Sequence, residues 1–417
     1  MNLSDSETII GIMKENGYEN VNSLEEANII LFNTCSVREH AEERVLQRVR
    51  SIKKSKQNDM IFGLIGCMAE RLKEKLFMEK SIDLILGPDN YRKLPEYIKQ
   101  LEHEKKVCDT NFNNEETYSD LVPYRQSKVT AWIPIMRGCD NLCSYCIVPL
   151  TRGKERSRNF KSIIEEAKKL ISENYKELYL LGQNVNSYYY DGKNFSDVLE
   201  SVAKLNSDVR IRFMTSHPKD LSDDLINSIS QHSNICKYIH LPFQSGSNRV
   251  LEVMNRNYTR EHYLGLIKKI KKTIPDVSLS TDIIVGFPSE TESDFLDTLS
   301  LLNEVKFDSA FMFKYSPREG TSAYHLNDDV PENIKSERLS KVIELQQDIS
   351  NISNKNLIGT NQEVLIESYS KKSDAKFQGR LGNNKVVVFP SHKNKIGETT
   401  KIKIIKSTSA TLIGELV

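Results

Sequence analysis

The sequence predicts an α/β protein in three parts: an N-terminal parallel doubly wound sheet, a central partial β/α barrel and a small C-terminal β-barrel. Apolar runs alternate with helical periods over residues 1–105, and a strand–helix unit repeats six times within residues 125–355. Short alternating strands fill residues 356–417. Strands that alternate with helices form parallel sheets, whereas short strands between turns close into small barrels. A chain of 417 residues is also too long for one compact core.

The composition is that of an ordinary globular protein, with 38% hydrophobic and 28% charged residues. No apolar run reaches the roughly 18 residues that span a bilayer, and the first residues lack the basic and apolar segments of a signal peptide. We therefore expect a cytoplasmic protein that binds no membrane and keeps its thiols reduced. The seven cysteines then indicate metal ligands rather than disulfides, and the net charge of +1 gives no chain-wide sign of nucleic-acid binding.

Two cysteines lie at the same edge of the predicted N-terminal sheet. Strands are predicted at 28–32, 60–65 and 82–86, each followed by a helix. Cys35 follows the first strand and Cys67 the second. Ligands of such sheets sit at the carboxyl ends of the strands, but buried structural cysteines would fit the same positions. Position alone leaves both interpretations open.

Three further cysteines on one short loop carry the most specific signal. Cys139, Cys143 and Cys146 form a C-x3-C-x2-C pattern after the first strand of the predicted barrel. Three thiolates can bind three irons of a cubane cluster and leave the fourth iron open, whereas electron-transfer clusters use four thiolates. The alternatives are a zinc site or a disulfide. Zinc prefers paired C-x2-C or Cys/His sets, and no histidine or second pair lies nearby in the sequence.

The cysteine loop resembles that of the radical S-adenosylmethionine (SAM) enzymes. The resemblance implies that the open iron binds SAM and that electron transfer cleaves SAM to a 5′-deoxyadenosyl radical. It also implies that the barrel strands present the loop at the edge where barrel active sites lie. Polar runs after the later strands resemble the SAM-binding positions of that family, although turn residues are common in ordinary loops. The candidates for binding SAM or substrate are Gln183, Ser216, Gln244 and Asp282, with Arg318 for a carboxylate or phosphate.

Residues 33–45 and 66–70 resemble the methylthiotransferase family and, more narrowly, the tRNA 2-methylthio-isopentenyladenosine synthases. That resemblance implies a second 4Fe-4S cluster on three cysteines, of which Cys35 and Cys67 are two. The third cysteine ends the family's first strand, and this chain begins with residues that match those directly after it. We therefore expect that strand and that ligand to be missing and the second cluster to be held poorly. About eight irons per chain after reconstitution would contradict this hypothesis.

The basic residues after the cysteine loop fit three possible roles. Residues 151–158 contain four basic residues, among them Arg152 and Arg156. They could follow an RNA backbone or pair within the protein near the cluster, and a solvated turn fits equally. His217 and His240 fit either catalytic bases or hydrogen-bonded structural histidines. Cys108 and Cys236 have no partner cysteine at ligand spacing, so they fit structural roles.

The C-terminal strands resemble the RNA-binding TRAM domain, with residues 379–389 carrying the likeness. Residues 357–417 hold ten Lys or Arg and five Asp or Glu, a net charge of +5, so most of the positive excess lies here. A plain accessory barrel with a charged face is the alternative. The candidate contacts to substrate RNA along the whole chain are Arg152, Arg156, Arg318, Arg380 and Lys385.

Together these resemblances imply a radical SAM methylthiotransferase that modifies C2 of an N6-(dimethylallyl)adenosine beside the anticodon. They imply SAM as radical source and methyl donor, two 4Fe-4S clusters, tRNA as partner, and an electron donor such as a flavodoxin or ferredoxin. We expect a monomer. Within the class, the rival substrates are threonylcarbamoyl-adenosine in tRNA and an aspartate in a ribosomal protein. Outside it, the rival is a non-catalytic RNA-binding protein with a relic cluster domain.

Overall fold

The computed structural model describes residues 1–36, 39–55, 60–391 and 395–417. Its N-terminal part is a four-stranded parallel sheet in the order β1-β2-β3-β4. The sequence also predicts a helix over residues 38–54 after the strand at 28–32, and the first residue of that helix lies outside the described residues. The elements are α1 (Asn2–Glu15), β1 (Ile29–Thr34), α2 (Glu39–Ser55), β2 (Ile61–Gly66), α3 (Cys67–Phe77), β3 (Leu84–Leu86), α4 (Leu94–Gln100) and β4 (Val107–Asp109).

Helices cover both faces of this sheet, so its strands are apolar on both sides, as expected for a parallel sheet. Ile9 of α1 and Leu94 of α4 share a buried cluster with Leu84 of β3. On the opposite face, Val49 of α2 shares a buried cluster with Phe62 of β2.

The central part contains two three-stranded parallel sheets, β11-β8-β5 and β12-β13-β14. A parallel bridge between Ile211 and Ile235 connects them, so the six strands form one curved, open β/α barrel. The elements are β5 (Thr130–Pro134), β6 (Met136–Arg137), α5 (Val148–Arg152), β7 (Arg156–Ser157), α6 (Phe160–Ser172), β8 (Glu177–Leu181), β9 (Tyr189–Tyr190), β10 (Lys193–Asn194), α7 (Phe195–Ala203), β11 (Arg210–Phe213), α8 (Asp223–Gln231), β12 (Tyr238–His240), α9 (Asn248–Val253), α10 (Arg260–Thr273), β13 (Ser278–Val285), α11 (Glu292–Val305), β14 (Ser309–Lys314) and α12 (Glu332–Lys355).

Six helices of this part begin at a polar side chain that accepts a hydrogen bond from the first helical turn, which fixes where each strand-to-helix loop ends. The capping residues are Asn159, Asn194, Ser222, Ser247, Thr259 and Thr291.

The C-terminal part is a closed five-stranded barrel with the strand order β15-β16-β17-β19-β18. Its core contains Val364, Phe377, Val387 and Ile402. The strands are β15 (Asn361–Ser370), β16 (Ser373–Leu381), β17 (Val386–Pro390), β18 (Thr399–Ser407) and β19 (Leu412–Leu416).

The fold class predicted from the sequence is confirmed, although several elements were absent from the prediction, among them α1, β4 and β19. Helix α1 buries Ser4, Asp5 and Glu7, so it shows no continuous apolar stripe. The two strands are only three and five residues long. None of the described helices combines the length and apolar character needed to span a membrane.

Candidate active site

The loop between β6 and α5 carries the three clustered cysteines at the carboxyl edge of the barrel. Cys143 is buried, whereas Cys139 and Cys146 are partly exposed. The preceding Gly138 has φ +75°, and a Cβ there would lie 1.9 Å from the carbonyl oxygen of Lys154, so the tight approach requires glycine. Although the side chain is partly exposed, desolvation of its thiol, followed by the neighbouring Cys143, raises the pKa of Cys146 to about 12.

Nitrogen donors point at two of these sulfurs. Asn141 Nδ2 lies 3.6 Å from Cys139 Sγ, and Arg256 Nη1 lies 3.4 Å from Cys143 Sγ. Such N–H donors suit thiolate ligands. Among the described residues, no three Cys, His, Asp or Glu side chains lie close enough together to hold one metal ion. A cubane cluster places each thiolate on a different iron, so its three cysteines need not all reach one metal ion.

Three of the four predicted SAM-binding side chains have buried polar atoms without a hydrogen-bond partner in the described parts of the chain. These atoms are Gln183 Oε1, Ser216 Oγ and Gln244 Oε1. Buried polar groups are normally paired, so unpaired ones at one rim indicate groups that await a ligand. Gln244 also adopts φ +65°, a conformation that costs energy for a residue with a side chain.

A cavity of about 820 Å³ opens at this rim. It brings together Cys146, Gln244, Asp282 and Arg318, all of which were predicted from the sequence as site residues. Asp282 Oδ2 lies 3.5 Å from His240 Nε2, and His240 Nδ1 lies 2.8 Å from Ser280 Oγ. The cavity therefore has room for a small molecule beside the cysteine loop, with carboxylate and amide groups on its wall.

His217 has the structural role that the sequence left open. Its Nδ1 accepts a hydrogen bond from the Lys219 backbone N–H at 3.2 Å. Burial, with Arg256 and Lys219 nearby, lowers the pKa of His217 to about 2. This imidazole therefore stays neutral near pH 7.

The sequence prediction missed two residues of the site. Asn186 has both side-chain amide atoms buried without a partner in the described chain, next to Gln183 on the same loop. Arg256 lies 113 residues from Cys143, and no local motif connects them. Asn186 could have been found from its polar run, whereas Arg256 could not.

Cys35 and Cys67 lie side by side at the carboxyl edge of the N-terminal sheet, because Thr34 pairs with Gly66 in the parallel register of β1 and β2. Cys35 is exposed and Cys67 is buried. Arg152 Nε lies 3.2 Å from Cys67 Sγ. A guanidinium group therefore lies beside Cys67 at this edge of the sheet. Of the other two cysteines, Cys236 is buried and Cys108 is exposed on β4.

The hypothesis that Arg152 and Arg156 contact RNA is wrong for this structure, and the internal-pairing alternative holds. Arg152 pairs with Asp5 at 2.6 Å, and Arg156 pairs with Asp89 at 2.8 Å. Both guanidinium groups are almost fully buried. Asp5 also pairs with Arg137 at 3.1 Å, so the ion pairs connect both ends of the cysteine loop to the N-terminal part. A buried, paired guanidinium cannot follow a phosphate backbone.

The other three candidate RNA contacts differ in position. Arg318 is buried and lines the cavity. Arg380 pairs with Glu367 at 3.0 Å within the C-terminal barrel. Lys385 pairs with Asp308 of the central part at 2.7 Å, which makes it a contact between domains. Arg380 is the more exposed of the last two, and its role in RNA binding stays a prediction.

Three protein-family models match the chain. They are the Radical SAM superfamily over residues 133–302, the Uncharacterized protein family UPF0004 over residues 1–87 and the TRAM domain over residues 355–417. The chain is 50% identical over 420 residues to the "tRNA-2-methylthio-N(6)-dimethylallyladenosine synthase" of Chloroherpeton thalassium, covering 99% of this chain and 93% of that protein. It is 48% identical over 423 residues to the synthase of the same name from Azobacteroides pseudotrichonymphae, covering 100% and 94%. The chain belongs to this synthase family.

Solved structures share the fold. The radical SAM methyltransferase TsrM from Kitasatospora setae matches with a TM-score of 0.58 at 13% identity, covering 77% of this chain and 70% of that one. The cobalamin-dependent radical SAM enzyme OxsB matches with a TM-score of 0.52 at 12% identity, covering 77% and 48%. Family membership brings SAM and a 4Fe-4S cluster, and the three-cysteine loop with its unpaired polar rim fits both.

Proposed function

We propose that this protein is a tRNA methylthiotransferase that converts N6-(dimethylallyl)adenosine beside the anticodon to its 2-methylthio derivative. The observation that carries the proposal is one cavity lined by Cys146, Gln244 and Asp282 in a chain of this synthase family. The cluster and SAM, when bound, supply radical chemistry for the unreactive C2–H bond of the base. The protein contributes binding and orientation, which decide which hydrogen of the substrate lies within reach.

The residues of the loop and rim divide this work. Cys139, Cys143 and Cys146 would hold the cluster. Gln183, Ser216 and Gln244 would bind polar groups of SAM, because each has a buried atom that lacks a partner in the described chain. Of these three side chains, Gln244 lines the cavity, whereas Gln183 and Ser216 lie outside its lining. Asp282 and Arg318 provide charged groups of both signs on the walls of the cavity.

We further propose that Cys35 and Cys67 are two ligands of a second 4Fe-4S cluster, which carries the sulfur and is held poorly by these two thiolates alone. Their adjacent positions at the sheet edge support this, as does the Arg152 N–H beside Cys67. We also propose a flavodoxin or ferredoxin as electron donor, a monomeric state and a cytoplasmic location. Iron content after anaerobic reconstitution, about four against about eight irons per chain, would separate one cluster from two.

Nucleoside mass spectrometry of bulk tRNA from a strain that lacks the gene tests the function. We expect the 2-methylthio nucleoside to disappear and N6-(dimethylallyl)adenosine to accumulate. The wild-type gene should reverse both changes and Cys143→Ser should not, whereas the exposed Cys108→Ser should behave like wild type. Loss of methylthio-threonylcarbamoyl-adenosine instead would keep the reaction and change the substrate. No change in either nucleoside would favour the ribosomal-protein substrate or a non-catalytic RNA-binding protein.

A further inference from the structure

A short segment after helix α9 holds the cysteine loop at three points. Ser144 N–H donates to Met254 O at 2.9 Å, and Ser144 Oγ donates to Val253 O at 2.8 Å. Asn255 Nδ2 donates to Leu142 O at 2.7 Å. We call residues 253–256 the clasp. Because these bonds bracket Cys143, the clasp fixes the central part of the loop before any cluster binds.

The last residue of the clasp is Arg256, which is only 4% exposed. Its Nη1 lies 3.4 Å from Cys143 Sγ, and its Nη2 donates to Pro242 O at 3.0 Å. Its Nε donates to Tyr258 Oη at 3.1 Å. Each nitrogen of the guanidinium therefore has a partner, and the planar fork cannot turn away from the sulfur without breaking the other bonds.

We propose that Arg256 is a positioning residue of the SAM-binding cluster that raises the reduction potential of the cluster through its N–H bond to Cys143. Reduction adds one electron, and the added negative charge spreads onto the sulfur ligands. A positively charged N–H donor at one sulfur stabilises the reduced state more than the oxidised state, and hydrogen bonds to sulfur are among the factors that set such potentials. This inference rests on the proposed function only in that the three-cysteine loop binds the cluster.

The test is a redox titration of the reconstituted protein with titanium(III) citrate, followed by the electron paramagnetic resonance signal of the reduced cluster. It is done in protein whose Cys35 and Cys67 are both replaced by serine, so that the signal belongs to one cluster. We expect Arg256→Met to make reduction about tenfold less favourable, which is a downward shift of about 59 mV for one electron. Arg256→Lys keeps the charge without the fork, and Tyr258→Phe frees Nε, so both should give smaller downward shifts.

Arg249→Lys is the matched control, because Arg249 lies on helix α9 one turn before the clasp but pairs with Asp294 instead of a cysteine. Its potential should equal that of the parent protein. If Arg256→Met fails to fold, the Lys and Phe variants decide. Unchanged potentials in variants that retain about four irons per chain would overturn the inference and leave the proposed function intact. A parent protein that binds no iron would overturn both.

Discussion

Buried polar groups lack hydrogen-bond partners at the rim of the barrel, as far as the described chain shows, but have them at the junction between the barrel and the C-terminal domain. At the rim, Ser216 Oγ and Gln244 Oε1 have no partner in the described chain. At the junction, Arg212 donates to Glu177 at 2.6 Å and to the backbone oxygens of Leu381 at 2.7 Å and Gly382 at 3.2 Å. Both regions are buried, so the difference in pairing reflects what each region does.

An unpaired buried group costs folding free energy, whereas a paired one removes that cost. The unpaired groups of the rim therefore lower the folding stability but can bind a ligand. The paired groups of the junction hold one domain against the other. This difference makes a testable claim. Substitutions at the rim should weaken ligand binding and leave the free energy of unfolding unchanged or increased. Substitutions at the junction should lower the free energy of unfolding and leave ligand binding unchanged.

The largest effect on the rim side is expected from Cys143→Ser. Cys143 is the buried member of the loop, and serine is a poor iron ligand because its hydroxyl stays protonated. We expect the variant to lose the cluster and its SAM cleavage, measured as iron per chain and as 5′-deoxyadenosine formed under reducing conditions. Cys108→Ser should keep both. Full SAM cleavage by Cys143→Ser would show that this loop is not part of the active site.

The largest effect on the junction side is expected from Arg212→Met. Arg212 and Glu177 have side-chain exposures of 1% and 0%, so the variant leaves a buried carboxylate without its ion-pair partner. We expect the free energy of unfolding to fall by about 3–5 kcal/mol in urea titrations, with unchanged affinity for SAM. Adding Glu177→Leu should restore part of the loss. A stable Arg212→Met variant with weakened SAM binding would contradict the assignment of a stabilising role to the junction.

The sequence predicted the three-part fold and the cysteine loop because both depend on local patterns. Strand–helix alternation gives a parallel sheet wherever it occurs, and the C-x3-C-x2-C spacing is readable within eight residues. The rim residues Gln183, Ser216 and Gln244 were also predicted from local patterns, because each follows a barrel strand. Strand ends are brought to one edge by the topology of the fold, so no long-range contact had to be known.

The errors came from pairing between distant residues. Arg152 and Arg156 were predicted at an RNA surface because four basic residues lie within 151–158. Their partners, Asp5 and Asp89, lie 147 and 67 residues away and leave no local signal. Helix α1 was missed for a related reason, since its buried Asp5 pairs with Arg137 and Arg152 and interrupts the apolar face on which Ile9 lies. The ion-pair partner of a charged residue can be identified only after the fold is known.

A smaller rim effect is expected from Ser216→Ala, which sharpens the comparison because it removes one unpaired hydroxyl. The lost hydrogen bond should raise the SAM dissociation constant about fivefold, equivalent to about 1 kcal/mol. The free energy of unfolding should stay the same or increase slightly. Ser228→Ala is the matched control, because Ser228 is buried but bonded to Glu200 at 2.7 Å. That variant should lose stability and keep its SAM affinity; a loss of stability in Ser216→Ala as well would show that its hydroxyl is paired.

The smallest effect concerns His217, which lies at the rim but is paired. Its pKa of about 2 is far below the usual 6.5, chiefly because the side chain is buried. As the pH falls below about 6.5, the unfolded chain binds a proton on this residue and the folded chain does not, so stability decreases. Between about pH 7 and pH 5.5 this contributes a loss of about 1 kcal/mol.

Urea unfolding of the metal-free protein at both pH values would measure the loss. His217→Gln should lose about 1 kcal/mol less than the wild type over this range, because glutamine does not titrate and its amide oxygen can still accept the Lys219 N–H. The other histidines contribute equally to both proteins and cancel in the difference. Equal losses in the two proteins would mean that His217 is protonated when folded. His217 would then belong with the rim groups that are available to a ligand, and not with the groups that are paired within the fold.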